Sequence, residues 1–316
     1  MNEAADTVHR ASRHFGRQLR SAAAIVLICL AAAATQAADT QHHRCFRLFD
    51  ATAYVGKPDL RARGFEPIQT FEPDRWWPES ETHDDLPNPL AAKHWIADIR
   101  DKQGMLVLDL ERWWVGGTDA AAAAEAMRKY LTVIEWLRSA GYTGPIGYYG
   151  VIPIWDGSRS LQPEGSAARL AWHSENERAQ PLADRVDVLY PSLYTGDEDV
   201  QSWEQLAVAT LQEARQLARG KPVYPFLWPQ YAPGNKALEL HYLSRAQWAR
   251  ELEVVGKNAD GAVIWGGIGQ PNSGGPPKWD ESADWWQATL AFLARRGACT
   301  NPASPEHVSV TKPTAP

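Results

Sequence analysis

The chain has 316 residues, of which 44% are hydrophobic and 22% charged, with a formal net charge of −6. These values are ordinary for a soluble globular protein with one large domain or two smaller ones. An acidic balance without a basic tract argues against a nucleic-acid partner, because binding phosphates requires clustered cations.

At the N-terminus, Arg10, Arg13, Arg17 and Arg20 precede the apolar run AAAIVLICLAAAA (22 to 34), which TQA (35 to 37) follows. A positive flank, a short apolar run and small residues at alternate positions predict a signal peptide over 1–37, cleaved near Ala37. The mature protein is then secreted or periplasmic, with no stable membrane insertion after cleavage. The alternative, an uncleaved anchor, has to use a run that is short and Ala-rich for a span. Cleavage removes four basic and two acidic residues, leaving 28 basic against 36 acidic, a net of −8. It also removes Cys29, so Cys45 and Cys299 remain at opposite ends of the folded region. In an oxidising compartment they are expected to pair, the alternative being two buried free thiols.

Between the cysteines, β-like runs fall at 45–54, 65–71, 104–111, 144–151, 186–194, 221–228 and 261–267. Helical patterns fill the gaps at 89–101, 119–140 with Gly141 as its stop, 164–180, 199–219 stopped by Gly220, 244–257 and 281–296. The first gap, near 57–64, carries the weakest helical signal. Residues 300–316 are rich in Pro, Thr and Ser without apolar periodicity and read as a disordered tail. Regular β–α alternation implies a parallel sheet with right-handed crossovers. No Gly-rich phosphate loop follows the first run, so a TIM-type barrel of seven parallel strands is expected rather than a nucleotide-binding doubly wound sheet.

The third run, LVLDLERWW (106 to 114), carries two carboxylates in an apolar setting. Side chains alternate along a strand, so Leu106, Leu108 and Leu110 share one face while Val107, Asp109 and Glu111 share the other. Two acids on one face, partly buried, raise the proton affinity of one member, as a general acid requires. Two solvated acids at a strand end are the plainer alternative. There are 15 Trp against 7 Phe. Trp76, Trp77, Trp113, Trp114, Trp155, Trp228 and Trp265 fall at or just past the C-terminal ends of the expected strands, where such barrels build their sites. Flat apolar faces with one polar handle suit sugar binding.

The motifs LDLERWW, LYPSLY (189 to 194) and GAVIWGG (261 to 267) resemble the D-x-E strand, the tyrosine-bearing strand and the closing strand of the hyaluronidase family of glycoside hydrolases. GPIGYYGVIPIWD and KPVYPFLWPQY fall between them in the same order and match loosely. The similarity spans 45–299 and implies a distorted seven-stranded (β/α) barrel domain, closed by a disulfide from the first strand region to the C-terminal end, here Cys45 to Cys299. It implies an endo-β-N-acetylhexosaminidase-like enzyme using substrate-assisted, retaining catalysis. By matching position Glu111 is the acid/base, Asp109 orients the substrate acetamido group, Tyr194 bonds it and Trp265 walls the sugar pocket. Tyr149, Trp228, Trp113 and Trp155 are the further substrate-binding candidates. The expected partner is a polysaccharide or oligosaccharide. Where the family has an acid, Trp and Arg-Pro after its glutamate, this chain has Arg112, Trp113, Trp114 and Val115; Trp228 ends a strand where a cation is expected. Those departures, with a net negative chain, point from hyaluronan toward a neutral or weakly charged polymer.

Two other readings stay open on the residues alone: a catalytically silent carbohydrate-binding barrel, and a two-carboxylate glycosidase drawing Asp50 or Asp156 from another strand. His42 and His43, the loop ETHDDLP (81 to 87), His94, His173 and His241 show no metal-ligand spacing, so neither a metal nor a cofactor is expected. No nucleophile elbow G-x-S-x-G occurs.

Overall fold

The structure, a computed structural model, describes residues 45–71, 86, 88–99, 101–269 and 275–296. The chain divides into two compact units, Met1–Cys45 and Phe46–Pro316, and every element below belongs to the second. The expected signal peptide, the C-terminal tail, Trp76, Trp77 and Cys299 lie outside the described residues.

Among the described residues seven strands form: β1 Arg47–Thr52, β2 Phe65–Pro67, β3 Gln69–Phe71, β4 Leu106–Leu108, β5 Ile146–Tyr148, β6 Phe226–Leu227 and β7 Gly261–Gly266. All pair in parallel, but as two sheets, β2-β1-β7-β6 and β3-β4-β5, rather than as the one closed seven-stranded barrel expected. Two differences account for this. The 65–71 run splits at Ile68 into β2, which pairs with β1, and β3, which pairs with β4. The 186–194 run forms isolated parallel bridges, Tyr149 with Tyr190, Leu189 with Val223 and Ser192 with Phe226. Proline contributes to the interruption: Pro191 and Pro222 have no N–H, so two donors are missing between the 186–194 run and the residues leading into β6. Donors remain toward both neighbours, Asp187 N to Ile146 O at 2.8 Å on one side and Leu193 N to Phe226 O at 3.1 Å on the other.

Helices α1 Pro89–Asp98, α2 Ala120–Ser139, α3 Ala167–Arg178, α4 Gln180–Arg185, α5 Val200–Ala218, α6 Arg245–Asn258 and α7 Asp284–Arg296 fill the gaps, with a 3-10 turn at Leu60–Arg63 in the weak first one. Their starts carry side-chain caps: Asp119 accepts from the amides of Ala121 and Ala122, Ser166 from Arg169, Asp199 from Ser202 and Ser244 from Gln247. Gly141, which ends α2, has φ +85°, the left-handed conformation that only glycine adopts without penalty. The expected 164–180 helix ends at Arg178, and α4 follows as a separate short helix beginning with Pro181 in its first turn.

The core has two layers. Leu48, Leu106, Leu108, Leu110 and Ile146 point outward against helix residues such as Tyr130, Leu137, Trp248 and Phe292. Phe49, Val107, Tyr149, Val188, Tyr190, Tyr224, Phe226 and Val263 make the inner cluster among the strands. Gly147 is required there, since a Cβ on it would stand 2.3 Å from the Val188 carbonyl oxygen and 2.7 Å from the Tyr190 ring.

Glu251 of α6 is fully buried, with Thr195 Oγ1 donating to its carboxylate at 2.7 Å. Burial raises its pKa well above the ordinary carboxylate range. A carboxyl whose folded pKa exceeds its unfolded value costs no stability below the unfolded value of roughly 4.3 and costs more as pH rises toward the folded value. Glu251→Gln, which keeps the acceptor, is therefore expected to raise the thermal midpoint at pH 8, by about 2–4 °C per kcal/mol relieved, and to leave it unchanged at pH 4. Melting curves at the two pH values check this.

Candidate active site

Two backbone bonds carry the β4 alternation past the end of the strand. Asp109 N donates to Phe71 O at 2.9 Å and Tyr149 N donates to Leu108 O at 3.0 Å. Leu110 accordingly stays with Leu106 and Leu108 in the outer core, and Val107 points inward. Asp109 and Glu111 follow Val107, and both act electrostatically on the phenols of Tyr149 and Tyr194. The two acids thus share one face at the C-terminal end of β4.

Glu111 packs over Gly150, where a Cβ would stand 3.5 Å from its Oε2 and where φ is +68°. Its outer edge is open to solvent, yet the protein around it removes enough hydration to raise its pKa. Of the two causes available to such a pair, like-charge repulsion and partial burial, burial is the one that acts on Glu111.

Across from the acids stands an aromatic wall. Tyr149 and Tyr194 pack with ring centroids 5.7 Å apart, and the Tyr149 hydroxyl bonds Ser192 Oγ at 2.9 Å. Tyr194 stacks on Trp265 with ring centroids 5.7 Å apart and planes at 25°. Trp228 packs edge-on to Trp265 at 4.7 Å and to Tyr194 at 5.4 Å. It is only 3% exposed and donates Nε1–H to Gln230 Oε1 at 3.1 Å. Trp228 therefore braces the wall from behind, while Trp265 and Tyr194 keep accessible surface.

Trp113 departs from its expected place at the site. It is 6% exposed and sits in the outer core, edge-on to Tyr130 at 5.1 Å. The Tyr130 hydroxyl bonds the carbonyls of Leu110 and Trp113, at 3.0 and 2.9 Å, which draws the chain toward α2 here. The accessible indole of the pair is Trp114, 60% exposed; Trp155 in the loop after β5 is 55% exposed. Ser192, Gly150 and Gln230 are residues to which the sequence assigned no role. Their signal was their place in the LYPSLY, GPIGYYGVIPIWD and KPVYPFLWPQY motifs.

The acids considered as partners for a two-carboxylate scheme are committed elsewhere. Asp50 accepts from Lys57 Nζ at 2.6 Å and from Thr52 Oγ1 at 2.7 Å. Asp156 accepts from the Arg159 Nε at 2.6 Å and caps the amides of Ser158 and Arg159. A cavity of about 540 Å³ between α3 and α5 is lined by Ser160, Arg169, Gln201 and Gln212, away from Asp109 and Glu111.

No known protein-family profile matches the chain, and no curated protein matches it significantly. Among solved structures it is similar to bee venom hyaluronidase in its monoclinic crystal form, at 19% identity and a TM-score of 0.53, covering 79% of this chain and 97% of that one. The complex of bee venom hyaluronidase with a hyaluronic acid tetramer aligns at 16% identity and a TM-score of 0.56, covering 79% and 95%. A Cellulomonas fimi endo-β-1,4-mannanase aligns at 15% identity and a TM-score of 0.46, covering 74% and 55%. The chain thus has an α/β fold with parallel sheets, of the kind found in barrel glycoside hydrolases.

Because burial raises the pKa of Glu111, Asp109→Asn is expected to leave the Glu111 carboxyl titrating above the value of roughly 4.3 seen for a model glutamate. Carboxyl-carbon NMR titration measures it. A fall to that value would make repulsion from Asp109 the governing cause.

Proposed function

We propose that the protein is an exported glycoside hydrolase that cleaves β-linked N-acetylhexosamine glycans by substrate-assisted, retaining catalysis. The observation that carries this reading is that Asp109 and Glu111 follow inward-facing Val107 at the end of β4 and both act on the phenols of Tyr149 and Tyr194, with the pKa of Glu111 raised by burial and Tyr194 stacked on Trp265. In the proposed reaction Glu111 gives its proton to the glycosidic oxygen as the bond to the anomeric carbon breaks. The acetamido oxygen of the same sugar attacks that carbon, so no protein nucleophile is required. Asp109 bonds the acetamido N–H and balances the positive charge of the cyclic intermediate, and Tyr194 bonds the acetamido group from the opposite wall. Water then opens the ring, giving its proton back to Glu111.

The commitments of Asp50 and Asp156 favour this scheme over two protein carboxylates. The likeness to a hyaluronidase seen with a hyaluronic acid tetramer supports a carbohydrate partner. The indoles Trp114 and Trp228, where cations are expected, and the net charge of the mature chain favour a neutral polymer over hyaluronan. Export rests on the N-terminal segment, with cleavage after Ala37 and a disulfide from Cys45 to Cys299.

A hydrolysis assay over a glycan panel tests the assignment. The mature protein is expected to cut an N-acetylhexosamine polymer and to leave its de-acetylated counterpart intact. Glu111→Gln is expected to lower kcat by about 10²–10⁴-fold with binding retained. Cleavage of the de-acetylated polymer would favour the two-carboxylate scheme, and wild-type binding without hydrolysis a silent binding barrel. For the export claim, the secreted chain is expected to begin at Ala38 and to lose about 3–5 kcal/mol of stability when its disulfide is reduced, in the chain-entropy estimate. Peptide mapping that finds two free thiols would refute the pairing.

A further inference from the structure

Trp114 and Trp155 are the exposed tryptophans among the described residues, and they sit on neighbouring loops, after β4 and after β5. Each ring lies on glycine backbone. A Cβ on Gly116 would stand 2.9 Å from the Trp114 ring, and one on Gly157 3.4 Å from the Trp155 ring. Flat, exposed indole faces held on bare backbone are suited to stack against the C–H face of a pyranose.

One helix, α3, holds both loops through buried polar side chains. Glu175 accepts from Gly117 N at 2.9 Å in the Trp114 loop, and Arg178 donates to the Gly117 carbonyl. The same Glu175 carboxylate is gripped by both terminal nitrogens of Arg159 in the Trp155 loop, at 2.5 and 2.9 Å. Next to Trp155, the Ile154 amide donates to Asn176 Oδ1 and its carbonyl accepts from Trp172 Nε1, each at 2.8 Å. Glu175 is 5% exposed and Asn176 fully buried. A buried carboxylate is expensive unless it is paired and bonded. Here the expense maintains a fixed spacing between two indoles that remain in water.

We propose that Trp114 and Trp155 form a paired platform for the sugar units that flank the one being cleaved, and that Glu175 is the positioning residue that sets their spacing. This rests on the glycosidase reading and deepens it. A platform outside the reacting sugar gives affinity that grows with chain length. Its ligand is a neutral β-linked N-acetylhexosamine oligosaccharide long enough to reach from Glu111 to both indoles.

The test uses the mature protein in a Glu111→Gln background, titrated calorimetrically with an N-acetylglucosamine disaccharide and with the corresponding hexasaccharide. Trp114→Ala and Trp155→Ala are each expected to weaken hexasaccharide binding by about tenfold, the effect of about 1.4 kcal/mol, and disaccharide binding by much less. Trp→Phe at either position is expected to recover part of the loss. Glu175→Gln, in the otherwise wild-type enzyme, is expected to raise KM for the hexasaccharide more than it lowers kcat. Circular-dichroism melts identify any variant that has lost its fold; the two Trp→Ala variants keep the test intact if Glu175→Gln is such a case. Equal losses on both ligands, or none, would overturn the platform. Hexasaccharide binding that depends on the indoles, without hydrolysis by the wild type, would leave the platform standing and remove the glycosidase reading. Hydrolysis without indole dependence would do the reverse.

Discussion

The two hydrogen bonds that flank the end of β4, Asp109 N to Phe71 O and Tyr149 N to Leu108 O, determine what the rest of the site can be. They keep the strand's two-residue period running past its last ladder residue, so Leu110 is buried outward and Asp109 turns inward. A slip of one residue would exchange the faces, driving Asp109 and Glu111 into the helical layer and Leu110 into the interior. The apolar demand of the outer core, where Leu106, Leu108 and Leu110 are essentially inaccessible, is what opposes that slip. Packing energy on one face thus fixes the geometry of the carboxylates on the other.

Much of this was legible because it depends on local pattern. The period of two in LVLDLERWW gives the outward packing of Leu106, Leu108 and Leu110 and the inward packing of Val107, and the β–α alternation yields all six strong helices to within a few residues at most ends. What was not legible involves partners distant in sequence or backbone groups without a pattern. The split of 65–71 at Ile68 follows from which neighbour each half finds, and the 186–194 interruption follows from prolines on two separate segments, the run itself and the residues leading into β6. In a loop beyond a strand no period applies, so nothing distinguished Trp113 from Trp114. The Tyr130 hydroxyl, on α2, decides that Trp113 goes into the outer core. Glu175 gave no signal because its partners, Gly117 and Arg159, are 58 and 16 residues away.

The electrostatics of the site follow from the same layering. Tyr149, Tyr194 and Glu111 all bind protons more tightly than usual, and in each case burial is the first cause. An interior filled with phenols and indoles offers few charges to stabilise an ionised group, so the region favours neutral forms. The solvent-exposed edge of Glu111 limits that effect, keeping a proton exchangeable with water while still held in place.

The two walls facing the acids differ in mechanical stiffness. Trp265 rides on β7, which is in register with β1 along six residue pairs, whereas Tyr194 and Ser192 ride on a segment joined to its neighbours by isolated bridges. Local opening follows the weaker hydrogen bonding. On that ground the tyrosine side is expected to open more readily than the β7 side that carries Trp265.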